Sequence, residues 1–516
     1  MLRRVIPLFA LALGIGHSSS AEHAPTAPPP VPREFRAAWA TPIWDRGFKD
    51  WPSNPNMTPS EQRAELRTML DNAAAARLNA IVLHVRLAGD ALYPTSYAPW
   101  SVFLTGQSGV APNPPYDPLA FAVEEAHARG LQLHAWFNPF RAMLPNLVGK
   151  AALSHVTRKH PEWIRKYGGE TWIDPGDPAA RKFVLETILD VVKRYNVDGI
   201  HLDDYFYPYR EARTVTKRVR GKRVKTRVDI PFPDDKTWNK FGRQKFGDRD
   251  TWRRANINEF IETLYKEVKA TKPAMAVGIS PFGIWRPANP PGITGLDAFG
   301  EIYADSRLWL RQGWLDYIAP QLYWEVGGTQ DRFRLLDRWW REQNPFNRHI
   351  WPGLYTSRVY GGGADRWPMN EIPLQIAQIR EDRAGSRDAP GHIHFRLGAL
   401  FADNNRLAMT ISSAYQEKAI VPAYPWLGPE VPAAPAVTYV SKPGAATFTV
   451  APGDSTSVRW WMIQTRGRDG AWAMTLRPAG EGKLGAAAFG TVDPDEIAVT
   501  ALSQTGVASP PTIVTP

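Results

Sequence analysis

The run Gly199-Ile200-His201-Leu202-Asp203-Asp204 ends a short apolar stretch with a histidine and two adjacent carboxylates. Side chains alternate along a strand, so with Ile200 and Leu202 facing outward, His201 and Asp203 face inward and Asp204 opens the following loop. The same parity turns His84 and Arg86 inward at the end of one apolar run, and His134, Trp136 and Asn138 at the end of another. It does the same for Gln321, Tyr323 and Glu325 on and beyond a third. Buried polar groups persist only when paired or placed at a solvated mouth. Asp203, Asp204 and Glu325 beside aromatic side chains, with no recognisable nucleophilic triad, suit glycoside hydrolysis. There one acid protonates the leaving oxygen and one carboxylate attacks or activates water. Parity points adjacent Asp203 and Asp204 apart, so Asp203 with Glu325 is the expected pair and Asp204 a supporting group. The plain structural alternative is a carboxylate tied to Arg86 or to backbone N–H groups.

His84, His134 and His201 each stand two residues before the end of their strands, and with Asp203 they would form the His₃Asp set of a metal-dependent hydrolase. Neighbouring barrel strands feed different layers, however, so the third strand is offset from the other two. Hydrogen-bonded interior histidines are the expectation, with no metal and no other cofactor.

Elements that could position these groups alternate regularly. Strands are predicted at 35–41, 80–86, 132–137, 199–203, 276–280, 317–321, 349–354 and 392–395. Helices are predicted between them, one starting at Ser60 as cap with Glu61 behind it and one opened by Asp177-Pro178. Eight strand–helix units, with no Gly-rich phosphate loop after the first strand, favour a closed (β/α)₈ barrel over a doubly wound open sheet. Long loops follow several strands, at the end where such barrels carry their sites.

The 516 residues are 43% hydrophobic and 22% charged, which fits a globular chain and excludes collagen-like and mostly disordered classes. Without cysteine, disulfides, iron–sulfur clusters and thiol catalysis are excluded together. Residues 1–21, with Arg3 and Arg4 before the apolar run Val5 to Ile15 and small residues near Ala21, read as a signal peptide. Residues 22–32 read as a Pro/Ala-rich leader. Export to the periplasm or the medium is therefore expected, and no cysteine is present to carry a lipid anchor. The formal charge of +11 is uneven: from Arg210 to Arg227 nine basic residues face one acid, Glu211. Alternation around Gly221 predicts an exposed basic hairpin across 210–228, inserted in a barrel of 33–428. It is a solvated arm, or one that docks an anionic envelope polymer. An exported chain without a nucleic-acid module is not expected to bind nucleic acid. From 429 to 516 the pattern changes to short strands between Gly, Pro and Asp turns, predicting a linker and a small β-sandwich similar to fibronectin type III modules. Trp460, Trp461 and Trp472 there suit a core better than a sugar-stacking face.

Longer motifs carry a resemblance. Glu34-Phe35-Arg36-Ala37-Ala38-Trp39, His134-Ala135-Trp136-Phe137-Asn138-Pro139, Asp198 to Pro208, Tyr303-Ala304-Asp305 and Pro320-Gln321-Leu322-Tyr323-Trp324 look like the glycosyl-hydrolase-like 10 barrels. These are bacterial envelope proteins, and the group includes a hydrolase of peptidoglycan glycan strands lacking stem peptides. The resemblance spans Pro32 to about Tyr415. It implies an exported glycoside hydrolase acting on such strands. Trp39, Trp136, Tyr205, Tyr323 and Trp324 would stack on sugar faces, while Arg86, Asn138 and Gln321 would hydrogen-bond hydroxyl or N-acetyl groups. Arg36, Arg141 and Asp305 are further site candidates from the same likeness. The fourth-strand motif is also similar to that of family 18 chitinases, but Tyr205 stands where their catalytic Glu would be, so that acid is not inherited. Two other functions stay open: a noncatalytic envelope glycan-binding protein, and a metal-dependent polysaccharide hydrolase or deacetylase using the histidines.

Overall fold

Eight apolar segments pair in parallel through their backbones. They are β1 (Phe35–Ala40), β2 (Ala80–Arg86), β3 (Gln132–Phe137), β4 (Gly199–Leu202), β5 (Ala276–Ile279), β6 (Tyr317–Ile318), β7 in two halves (His349–Ile350 and Gly353–Leu354) and β8 (Gly391–His394). The computed structural model describes residues 27–515 except 148, 220–221, 443–444, 455–456, 481–482 and 486–493. The signal peptide expected at 1–21, the first half of the leader, and a strand expected at 486–491 lie outside the described residues.

The sheet runs from the first half of β7 through β6, β5, β4, β3, β2, β1 and β8 to the second half of β7. Both ends of that order belong to one stretch of chain, so the curled parallel sheet comes round on itself, as a TIM barrel requires. Its interior is aromatic. Phe35 stacks on Trp351 at 4.0 Å, and Tyr317 lies 5.8 Å from Phe35. Gly278 faces the Tyr317 ring so closely that a Cβ there would sit 1.9 Å from it, which explains a glycine inside a strand.

Helices cover the outside, and their starts follow from capping chemistry. The first, Pro59–Ala75, is capped by Thr58 rather than Ser60, because Glu61 at N3 reaches back to the Thr58 N–H and completes a capping box. Asp177 caps Pro178–Arg194 and accepts from Ala179 and Ala180. No helix among the described residues is long and apolar enough to cross a membrane.

Two insertions reach outward. Arg141–Met143, Ile164–Tyr167 and Glu170–Ile173 make a small antiparallel sheet after β3. Glu211–Val219 pairs with Lys222–Ile230 as a hairpin after β4. Tyr167 pins that hairpin at its base, its hydroxyl donating to Ile230 O and accepting from Glu211 N.

Among the described residues the C-terminal part forms two antiparallel sheets, of three and four strands, around Phe448, Trp461, Ile463, Ile497 and Val499. Trp460 and Trp461 are buried, while Trp472 is half-buried. This module packs beneath the barrel, at the N-terminal ends of its strands. Trp460, Met462 and Leu502 meet Ile420, Leu476 abuts Gly130, and Arg459 donates to Oδ1 of Asp198 at 2.8 Å.

Candidate active site

β4 ends at Leu202, and Asp203 and Asp204 follow outside the strand. Parity no longer applies there, so the expectation that the two point apart is corrected: both line one cavity of about 420 Å³ at the C-terminal mouth of the barrel. The Asp204 N–H donates to Oδ1 of Asp203 at 2.9 Å, and Gln321 Nε2 donates to the same oxygen at 3.4 Å. Asn138 is oriented by its neighbours. Its Oδ1 accepts from Arg141 at 2.9 Å and from His84 Nε2 at 3.2 Å, which leaves Nδ2 donating to Oδ2 of Asp203 at 3.2 Å. The Tyr209 hydroxyl donates to Oδ2 of Asp204.

Burial, then the Asp204 charge, push Asp203 well above the ordinary carboxylate range. Burial raises Asp204 as well, opposed by hydrogen bonds from Asp203 and Tyr209. The pair thus retains a proton at pH values where solvated carboxylates have lost theirs, and Asp203 is the better holder. A protonated carboxyl in such a cleft can serve as a general acid.

Aromatic walls surround the pair. Trp136 stacks on His84 at 3.8 Å, Tyr323 lies 4.6 Å from Tyr355, and the Arg141 guanidinium covers Tyr205 at 4.2 Å. Trp39 lines the same space, with Trp44 two-thirds exposed at its rim. Apolar ring faces beside hydrogen-bonding groups match the alternating character of a pyranose.

Several lining residues were not singled out from the sequence. Thr41 and Ser280 continue the inward parity of Trp39 and Gly278, a signal that was available. Asp45, Tyr355 and Arg396 lie on loops or just past a strand, and Glu170 opens a short strand of the insertion, so no periodicity marks them. Arg396 holds the loop after β1, donating to Oδ2 of Asp50 at 2.8 Å and to Ile43 O at 2.7 Å. Glu170 sits 3.5 Å from Arg141. Oδ2 of Asp45 is buried with no hydrogen-bond partner.

Five expected residues stand apart from the cavity lining. Glu325 and Trp324 lie beyond the end of β6 and outside the lining, although Gln321 and Tyr323, also past Ile318, are in it. At Arg86 the β2–β3 register shifts, and its guanidinium turns to Asn138 O at 3.0 Å and Pro139 O at 3.1 Å, bracing the turn after β3. Arg36 lies at the opposite end of the barrel, paired with Glu34 at 2.6 Å and covering Tyr415. Asp305 caps helix Ser306–Gln312 and accepts from Trp285 Nε1 at 3.1 Å.

The three histidines do not converge on one point. His201 Nε2 accepts from Trp39 Nε1 at 3.1 Å, so its proton is on Nδ1, donated to the Tyr317 oxygen at 2.9 Å. The Tyr317 hydroxyl then donates to His134 Nδ1 at 2.9 Å, and His134 Nε2 donates to Gln132 Oε1 at 3.2 Å. Every link fixes the next, and burial keeps both rings neutral, His134 lowered to about 4. His84 is separate, its Nδ1 3.0 Å from the Thr41 hydroxyl. Among the described residues no group of three or more His, Asp or Glu side chains is arranged to hold a metal ion.

Sequence comparison matches residues 34–364 to the family described as glycosyl hydrolase-like 10. Over 420 residues the chain is 35% identical to glycosyl hydrolase YngK of Bacillus subtilis, covering 80% of this chain and 77% of that protein. Over 331 residues it is 34% identical to glycosyl hydrolase DigH of Escherichia coli, covering 60% and 71% respectively. Among solved structures, the PgaB (BpsB) glycoside hydrolase domain from Bordetella bronchiseptica aligns over 73% of this chain and 98% of its own. That alignment has a TM-score of 0.46 and 16% identity.

Proposed function

The chain belongs to the glycosyl hydrolase-like 10 family, and on that premise we propose that it is an exported glycoside hydrolase cutting peptidoglycan glycan strands, chiefly those freed of peptides. The observation that carries the reaction class is the proton-retaining Asp203–Asp204 pair in an aromatic-walled cleft. Asp203 delivers its proton to the glycosidic oxygen as the bond to the anomeric carbon breaks. Asp204 keeps that carboxyl protonated beforehand, and Asn138 and Gln321 hold it in place. Because Glu325 lies outside the cleft, we assign the second carboxylate role, directing water or attacking, to Asp45, which lines the cleft. Export rests on the apolar run after Arg4, and the substrate class rests on the family resemblance. In the same reading the C-terminal module is a fibronectin type III-like spacer, and the basic hairpin docks an anionic envelope polymer.

The deciding experiment incubates the purified protein with peptide-stripped and with intact peptidoglycan, followed by mass spectrometry of the soluble products. Sugar fragments from the stripped strands, unaffected by a chelator, are expected. Binding without any fragment would turn the reading to a noncatalytic glycan-binding protein, and zinc-restored activity after chelation would turn it to metal chemistry.

A further inference from the structure

A second cavity, of about 220 Å³, opens at the foot of the basic hairpin, lined by Tyr167, Tyr207, Arg210, Asp250 and Tyr303 among others. It shares two walls with the first. Along Tyr205 to Arg210, Tyr205 faces the active-site cavity, while Tyr207 and Arg210 face the second. In the insertion after β3, Glu170 lines the first cavity and its cross-strand partner Tyr167 lines the second. We propose that this second cavity is a distal subsite for one uncharged sugar unit of the strand whose scissile bond lies at Asp203, an inference that rests on the glycosidase reading.

Three observations support it. The volume is below the roughly 300–1,000 Å³ of pockets for drug-sized ligands, which suits a single ring. The rings are packed edge to face, Tyr207 with Tyr303 at 5.1 Å and with Phe232 at 5.4 Å, and being nearly fully buried they form a rigid floor. The charges balance closely: Arg210 and Arg253 face Asp229, Asp250 and Glu301, a lining that favours hydroxyl groups over an anion. Arg253 is committed to Asp234 at 2.7 Å and to the Tyr303 hydroxyl at 2.6 Å. Arg210, its side chain 37% exposed, donates to Gly300 O at 2.7 Å and stands 3.6 and 3.9 Å from its carboxylates, so its remaining N–H groups are at the cavity's edge.

Backbone strain points to the same place. Tyr303 holds φ at 59°, the left-handed region that is strained for a bulky residue and that concentrates at ligand sites. Ala304 and Asp305 follow it, and Asp305 caps the next helix, so the strained residue is fixed from the C-terminal side. Tyr303 lines the second cavity and not the first.

The test measures binding by calorimetry in an Asp203→Asn background, with a peptide-free tetrasaccharide and with strands of about ten or more sugars. Long strands are expected to bind about tenfold more tightly. Arg210→Ala with Asp250→Asn should abolish that advantage while leaving the tetrasaccharide affinity and the melting temperature unchanged. Equal affinity for both lengths, or no affinity for either, overturns the subsite. If the double variant keeps the length advantage, that also overturns it. A wild-type protein that cuts neither substrate, yet shows the Arg210-dependent advantage, would instead remove the hydrolase reading and leave the subsite standing.

Discussion

The backbone N–H of Asp204 reaches Oδ1 of Asp203 at 2.9 Å, so one carboxylate is fixed by the main chain of the next, and the two titrate as a unit. Replacing either, by Asp203→Asn or Asp204→Asn, is expected to lower turnover about a hundredfold or more without changing the melting temperature, the loss typical of removing a positioned acid or base. Wild-type rates in both variants would sink the assignment.

A pH profile separates their roles. An acid works only while protonated, so turnover falls as pH rises through the Asp203 pKa. Burial and the Asp204 charge hold that pKa up. Asp204→Asn removes the charge, and the alkaline limb of the residual activity should move to lower pH. A limb that stays in place would mean that Asp204 does not act through Asp203.

Two other carboxylates give a contrasting pair. Glu325 lies outside the cavity, so Glu325→Gln should keep near wild-type turnover; Asp45→Asn should lose about a hundredfold with its fold intact. The reverse result would restore the pairing expected from strand parity.

That expectation shows where sequence reading works and where it stops. On β4 and β3 regular backbone carries the alternation, and His201, Trp136 and Asn138 fall where their spacing puts them relative to the barrel axis. Past the end of β6 the alternation still holds at Gln321 and Tyr323 but is lost by Glu325; it also fails at Asp204, just beyond β4, and at Arg86, where the register shifts. Asp45, Glu170 and Arg396 could not be found this way at all. Their positions depend on how loops fold over the mouth, and contacts distant in sequence, such as Arg396 with Asp50, decide that. The eight strand–helix units were legible because each carries its own apolar period.

The basic hairpin sets Arg218 directly opposite Arg223, with Lys225 and Arg227 on the same face. Like charges directly opposite are destabilising in an isolated pair of strands, so a bound polyanion would relieve them. Replacing Lys217, Arg218, Arg223 and Lys225 with Ser should weaken co-sedimentation with sacculi at low salt, and added salt should weaken the wild type in the same way. Turnover on short neutral oligosaccharides should not change. Unaltered sedimentation would leave the hairpin as a solvated arm.

Beneath the barrel, burial works against ionisation of Asp198, but His127, Arg459 and the Leu133 amide hold its pKa far below the usual carboxylate range. A depressed pKa contributes stability above the unfolded value of about 3.9 and loses it as pH falls further. Arg459→Met should therefore lower the melting temperature at neutral pH. The gap from wild type should narrow between about pH 4 and pH 2; a constant gap would show that the guanidinium acts through packing alone.

The same contact fixes a direction. Arg459 and Trp460 grip the end of the barrel where the strands begin, and the cleft opens where they finish. The face by which the C-terminal module meets the barrel is thus at the opposite end from the cleft, and its residues take no part in lining it. The module is a pedestal in position: it stands under the barrel and leaves the open mouth on the opposite face.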